Sequence, residues 1–134
     1  MRIVTFVLSA VTFLMSCDSA DIIDPKIQGC TDLHSLDFDQ LAEEDDGSCT
    51  YSRVSFYTAV EPVDPVFVYV GGVNIGTITS FYVSAPENCS SQGNVAYQLT
   101  DGDIHVWEAF TGALVDTGTV VANRDSECII QRTF

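Results

Sequence analysis

The fold is decided by the stretch Val66-Phe67-Val68-Tyr69-Val70-Gly71-Gly72-Val73-Asn74-Ile75-Gly76-Thr77-Ile78-Thr79. Two runs rich in β-branched and aromatic residues flank a pair of glycines, and residues of those types favour strands. Gly71-Gly72 permits the positive φ angles of a two-residue hairpin turn. We therefore predict an antiparallel hairpin here and an all-β protein around it.

Similar short runs occur on both sides of this hairpin, and each ends in turn residues. They cover residues 54–58, 94–99, 104–110, 114–122 and 128–134, and residues 81–83 are expected to extend the second hairpin strand. Pro62 and Pro65 break the chain before the hairpin, because proline cannot donate a ladder hydrogen bond. About seven short strands with this spacing are typical of a sandwich. The sequence predicts a small antiparallel β-sandwich over residues 52–134.

The chain has five cysteines, and the odd count requires an explanation. Cys17 stands apart near the N-terminus, and the others are Cys30, Cys49, Cys89 and Cys128. Four cysteines allow three pairings, of which proximity in the sequence favours Cys30–Cys49 with Cys89–Cys128. Zinc is the rival explanation, but neither pair has C-x-x-C spacing, and the two histidines are isolated. We expect two disulfides, which suit an exported protein with a small core.

Residues 29–51 form an acidic segment bracketed by Cys30 and Cys49. Its carboxylates repel one another unless solvent or a cation screens them. Calcium takes about six to eight oxygen ligands, and Asp-x-Asp and Asp-Asp-Gly patterns supply several. The expected calcium ligands are Asp37, Asp39, Asp45 and Asp46, although the spacing of a D-x-[DN]-x-[DN]-G loop is absent. The alternative is a solvated acidic loop without metal. In either case Leu36, Phe38 and Leu41 are expected on its buried side.

The N-terminus carries one base, Arg2, followed by an apolar run from Ile3 to Met15. A transmembrane helix needs ~20 apolar residues, so this run fits the core of an export signal better. Its end, Leu14-Met15-Ser16-Cys17, resembles the lipobox of bacterial lipoproteins. The resemblance implies cleavage after residues 1–16 and lipid attachment to the Cys17 sulfur, which would anchor the protein to a membrane. An ordinary cleaved signal is the alternative. Residues 17–28 are expected to be a polar tether.

The acidic segment also resembles a short repeat of secreted and surface proteins from Bacteroidetes. Gly29-Cys30-Thr31-Asp32 and Asp45-Asp46-Gly47-Ser48-Cys49 match that repeat directly, whereas Leu33 and Gln40 replace its two prolines. In that group, acidic residues just after the lipidated cysteine resemble a surface-export signal, and the acids of the tether fit it. The resemblance implies a lipoprotein of the outer membrane, exposed at the cell surface.

Residues 52–134 resemble small β-sandwich domains at the C-termini of Bacteroidetes lipoproteins. The shared features are the hairpin from Val68 to Thr79, a central cysteine loop and a terminal cysteine strand. The hairpin is also similar to that of PEGA-type and carboxypeptidase-regulatory-like modules. Residues 102–106 stand where the family has an aromatic Gly-x-Tyr-x-Tyr strand, but they lack its tyrosines. The resemblance implies an architecture and no particular chemistry.

Charge and motifs narrow the range of functions. The chain has 5 basic and 19 acidic residues, a formal net charge of −14. This excess disfavours nucleic acid and anionic lipid surfaces as partners. Neither a Gly-x-Ser-x-Gly motif nor a phosphate-binding loop is present. We expect no enzymatic activity and no cofactor other than the calcium considered above. A small hydrolase is the weaker alternative, with carboxylates drawn from Glu61, Glu87, Glu108 and Asp116.

The expected function is a non-catalytic binding or structural module with a protein or glycan partner. Trp107 is the candidate ligand-binding residue, and it shares one face of strand 104–110 with His105 and Ala109. An outward Trp107 would form a platform for a sugar ring or a protein, whereas an inward one would belong to the core. The alternative function is an accessory subunit of an outer-membrane assembly. A contiguous exposed apolar patch would favour a partner.

Overall fold

The computed structural model describes residues 24–134, so the predicted signal peptide (residues 1–16) and Cys17 lie outside the described residues. The nine strands are β1 (Gln28–Gly29), β2 (Glu44–Asp45), β3 (Arg53–Tyr57), β4 (Val66–Val70), β5 (Val73–Ile78), β6 (Val95–Gln98), β7 (His105–Thr111), β8 (Ala113–Val120) and β9 (Cys128–Arg132). Residues 24–134 contain no helix that is long and apolar enough to cross a membrane. The all-β prediction is confirmed, because every element in this range is a strand.

Strands β3 to β9 form the two sheets of a sandwich, and they are the seven strands that the sequence predicts. One sheet has the order β6-β3-β9 and the other the order β5-β4-β7-β8. Side chains alternate between the two faces of a strand, so β4 buries Val66, Val68 and Val70 and turns Phe67 and Tyr69 outward. The three valines therefore place the four-stranded sheet over the core.

The core lies between the inner faces of the two sheets. Phe56 of β3 packs against Trp107 of β7, with 5.5 Å between their ring centroids and a tilt of 56°. Val54 and Val68 are fully buried beside them. Burial of apolar surface contributes roughly 25 cal/mol per Å², and this contact is the centre of that burial.

The hairpin from Val66 to Ile78 forms as predicted. Val70 pairs with Val73, and both glycines of the turn have positive φ angles, 57° at Gly71 and 78° at Gly72. The register shifts between Val68 and Tyr69, which leaves Ile75 as the extra residue of a β-bulge on β5. The bulge brings Gly76 against β6, where a Cβ atom would lie 3.2 Å from the side chain of Val95.

Two details of the sandwich differ from the prediction. Strand β9 pairs with β3 in parallel rather than antiparallel, because the chain crosses from the four-stranded sheet to the other sheet before β9. Residues 81–83 do not extend β5; Phe81 makes only an isolated bridge to Thr58. The predicted extension of β5 over residues 81–83 was therefore wrong. The chain there lies next to the end of β3, and a local sequence pattern does not indicate that neighbour.

The acidic segment forms a small unit of its own, built on the parallel pairing of β1 with β2. Gln28 pairs with Glu44, so the structured part begins one residue before the predicted boundary of the tether. A Cβ atom on Gly102 would lie 2.8 Å from Asp32 Oδ2, which means that this segment packs directly against the loop before β7. Leu41 is 71% exposed, so its expected place on the buried side was wrong.

Candidate functional site

The outer face of the four-stranded sheet carries a group of apolar side chains that point away from the core. We call this group the outer aromatic face; its members are Phe67, Tyr69, Val106, Phe110 and Leu114. Phe67 is 41% exposed, and Val106 and Leu114 are each 51% exposed. Strand pairing places Phe67 opposite Phe110, and Phe110 opposite Leu114. Three adjacent strands, β4, β7 and β8, thus contribute apolar side chains to one surface, which also carries Glu108 opposite Tyr69.

The rings of this face meet edge to face. Tyr69 and Phe110 have centroids 5.3 Å apart and an interplanar angle of 78°. Such T-shaped pairs are a favourable arrangement of aromatic quadrupoles. Because the two rings are not coplanar, they form a ridged surface rather than one flat platform.

The outer side of the three-stranded sheet is different, because it is covered. Ser55 on the central strand β3 is fully buried although it faces away from the core. Asn94 Nδ2 donates a hydrogen bond of 3.1 Å to Ser55 Oγ, and Cys89 Sγ lies 3.4 Å from the Arg53 carbonyl oxygen. The loop that contains Cys89 therefore closes this side of the sandwich. The four-stranded sheet is the side left open.

Trp107 is not a surface platform, so its assignment as a ligand-binding residue was wrong. The residue is 2% exposed and packs on Phe56 in the core. A Cβ atom on Gly118 would lie 2.8 Å from the indole ring, so the neighbouring strand carries glycine where the ring needs space. Val106 and Phe110 lie on the other face of β7, which points outward. Sequence analysis identified the two faces of this strand and could not choose between them.

The two disulfides form as the proximity argument favoured. Cys30 is bonded to Cys49, with 4.9 Å between the Cα atoms, and Cys89 is bonded to Cys128, with 5.7 Å between them. The first closes the acidic segment. The second ties the loop that covers the three-stranded sheet to its edge strand β9.

The four carboxylates expected to bind calcium are not brought together. Residues 24–134 contain no group of three or more His, Cys, Asp or Glu side chains placed to hold a metal ion. Instead, Asp39, Asp45 and Asp46 each accept a hydrogen bond from a backbone N–H two residues later, and Asp37 accepts one from Thr50 Oγ1. The carboxylates thus stabilise the turns of the acidic segment. For Asp46, hydrogen bonds from the side chain and the backbone of Ser48 hold the carboxyl pKa below its usual value.

Asp32 and Tyr51 are hydrogen-bonded to each other, and each has a shifted pKa. Asp32 Oδ1 accepts a hydrogen bond of 2.8 Å from the backbone N–H of His34, which holds the pKa of this carboxyl below its ordinary value. Tyr51 donates its hydroxyl to Asp32 Oδ2 at 2.9 Å. Burial, followed by this hydrogen bond and the nearby negative charges, raises the pKa of Tyr51 to about 12. The pair joins the first and last turns of the acidic segment, next to the start of the sandwich.

Two of the carboxylates considered for a hydrolase, Glu108 and Asp116, lie on opposite faces of the four-stranded sheet. Asp116 pairs with the buried Ala109, which places it on the inner side of the sheet, whereas Glu108 pairs with the outward Tyr69. Glu61 lies in the loop before β4, where it lines an open groove of about 680 Å³ together with Asp64 and Phe81. Opposed carboxylates flanking a bond, as glycoside cleavage requires, are not formed by Glu108 and Asp116.

Sequence analysis missed Phe67, Tyr69 and Leu114 as members of an outward face. The signal was present in Val66–Val70, where three valines alternate with two aromatic residues. Either set could have faced the core, and only the packing of β4 against β3 and β6 decides between them. Comparison with protein-family models, with curated proteins and with solved structures found no match for this chain.

Proposed function

We propose that this protein is an exported, lipid-anchored binding module without catalytic activity, which holds a partner protein against its four-stranded sheet. The single observation that supports binding is the outer aromatic face, because apolar side chains exposed together on a folded domain mark an interaction site. The contrast within the molecule strengthens the argument, since the opposite sheet has its outer side covered. A role as an accessory subunit of an outer-membrane assembly fits the same surface.

The cysteines support both export and lipid anchoring. Disulfides persist outside the reducing cytosol, and two are closed here. Cys17 is the cysteine left over, and it ends the lipobox-like sequence Leu14-Met15-Ser16-Cys17. Together with the resemblance of residues 29–51 to a Bacteroidetes surface motif, these features support a location at the outer membrane, exposed on the cell surface.

The anchor is tested by Cys17→Ala in cells that make the full chain. We expect the variant to leave the membrane fraction and to lose incorporation of a labelled fatty acid. The wild-type protein, fractionated in parallel, should keep both properties. Membrane association of Cys17→Ala equal to that of wild type would contradict lipid anchoring.

The binding face is tested by placing a photo-crosslinking amino acid at position 67 of the full chain in its native cells. Irradiation should give a discrete adduct of higher mass, because this position would contact the partner. The matched control carries the same amino acid at position 96, which is exposed on β6 of the opposite sheet. Equal adducts at both positions, or none at position 67, would overturn the proposed binding face.

A further inference from the structure

Strand β8 forms one edge of the four-stranded sheet. It is the last strand of its sheet and spans Ala113–Val120. Within residues 24–134, no backbone hydrogen bond joins β8 to any element other than its neighbour β7. An edge of this kind presents a row of unpaired N–H and C=O groups to any extended chain that approaches.

The pairing of β7 shows which backbone groups of β8 point outward. Gly71 N–H donates to the Val106 carbonyl at 2.9 Å, so the backbone polar groups of Val106 point toward β4. The backbone N–H and C=O groups of successive residues point to opposite sides of a strand, so the groups of Trp107 point toward β8. The backbone groups of Gly118, which pairs with Trp107, point toward β7. Thr117 and Thr119 therefore direct their backbone groups away from the sheet. Thr117 N–H donates to the Asp116 carboxylate at 2.9 Å, whereas Thr119 is an exposed position on the same side of the strand.

Strand β8 lacks most of the features that prevent unwanted pairing at sheet edges. It contains neither lysine nor proline, and its protection consists of one acid, Asp116, and a bulge at Val115. The opposite edge strand, β5, is approached by β6 at Gly76, where a Cβ atom would lie 3.2 Å from Val95, whereas Val73 and Asn74 at its start are exposed. The open edge also adjoins the outer aromatic face, since Leu114 belongs to both.

Charge indicates what would occupy this edge. From Val54 to Asn123 the chain has seven acidic residues and no lysine or arginine. A second copy of the chain would bring an equal excess of negative charge, with a formal net charge of −14 on each copy. Complementary charge steers association and suppresses like-charged partners. A cationic segment is the complementary occupant.

We propose that the edge of β8 binds an extended, lysine- or arginine-containing segment of the partner protein, which adds a strand to the four-stranded sheet. This inference rests on the proposed function and names the chemistry of its partner. Main-chain hydrogen bonds to the Thr119 N–H and to the carbonyl oxygens of Thr117 and Thr119 hold the segment, as in other cases of strand addition. Its alternate side chains extend the outer aromatic face beyond Leu114.

The test uses detergent-solubilised full-length protein and two fluorescent peptides in a binding titration. One peptide alternates valine with lysine, and the other carries glutamate in place of lysine. We expect the cationic peptide to bind and the acidic one to fail. Thr119→Pro removes the outward N–H without removing a bond to β7, so it should weaken binding by roughly tenfold. Thr119→Val keeps the N–H and is the matched control, with affinity like that of wild type.

Circular dichroism establishes that both variants remain folded. Equal binding of the two peptides, or an unchanged affinity of folded Thr119→Pro, would overturn the edge inference. So would concentration-dependent dimerisation that Thr119→Pro abolishes, since it would identify a second copy as the occupant. These results are separate from the crosslink at position 67: an adduct there with no peptide binding removes the edge inference and leaves the proposed function standing.

Discussion

At the scale of single residues, the environment of Tyr51 makes a prediction about pH. Its hydroxyl donates to Asp32, and burial is the first cause of a pKa of about 12, against 10.0 for an unperturbed tyrosine. Because the folded pKa is the higher one, this group's stabilisation is present below pH 10 and is lost as pH rises toward 12. Ultraviolet titration of tyrosinate should show one late-titrating tyrosine that Tyr51→Phe removes.

Asp32, the hydrogen-bond partner of Tyr51, makes the stability depend on pH in the opposite direction. Its pKa is lowered from 3.8, chiefly by the His34 N–H, so its contribution is present above that pH and is lost as pH falls below it. Asp32→Asn should remove this acid-side loss from a chemical denaturation series. The variant should also bring the pKa of Tyr51 down while leaving it above 10.0, because burial remains. A Tyr51 pKa unchanged by Asp32→Asn would contradict the coupling.

Gly118 is the residue whose substitution tests the packing of the core. A Cβ atom there would lie 2.8 Å from the Trp107 ring, which is itself held by Phe56. Gly118→Ala should lower the free energy of unfolding by about 1–3 kcal/mol, because the ring has no free space to enter. Thr119→Ala, one residue away and exposed, should stay within about 0.5 kcal/mol of wild type. Urea denaturation measures both, and equal stabilities would contradict this account of the contact.

At the scale of elements, the two disulfides should contribute unequally. Cys89–Cys128 closes a separation of 39 residues and Cys30–Cys49 one of 19. On loop entropy the longer one contributes about 4 kcal/mol and the shorter about 3 kcal/mol. The longer bond also holds the loop that covers the central strand β3 to the edge strand β9. The double variant Cys89→Ala/Cys128→Ala should therefore unfold at lower urea than Cys30→Ala/Cys49→Ala, and the reverse order would contradict this assignment.

The strands of the sandwich could be predicted from the sequence because their signals are local. Runs of β-branched and aromatic residues that end in turn residues predicted β4 and β7, and Gly71-Gly72 predicted the hairpin turn with its positive φ angles. The direction of β9 could not be predicted from local signals. It runs parallel to β3 because the chain crosses between the two sheets, and a short stretch of sequence does not indicate such a crossover.

The candidate site was less predictable, because it depends on which side of a strand is covered. Both faces of β7 have apolar residues, and the choice of Trp107 for the core follows from its contact with Phe56. The carboxylates of the acidic segment were likewise ambiguous. Asp45 and Asp46 occur in a pattern compatible with calcium ligands, and the structure uses them to accept N–H groups of the adjacent turn.

At the scale of the whole molecule, the two sides of the sandwich have different roles. The three-stranded sheet is covered by the loop that contains Cys89 and by its disulfide, whereas the four-stranded sheet exposes Phe67, Val106 and Leu114. The excess of acidic residues disfavours association of this surface with further copies of the chain. A single open side fits the proposed binding of one partner.

The most direct measurement of this account is hydrogen exchange on the full-length protein, compared between native membranes and the purified state. With the partner in place, backbone amides of β7 and β8, including Thr119, should exchange more slowly in membranes than after purification. Amides of β6 on the opposite sheet should exchange equally in both. Identical exchange of β7 and β8 in the two preparations would contradict binding at the four-stranded sheet.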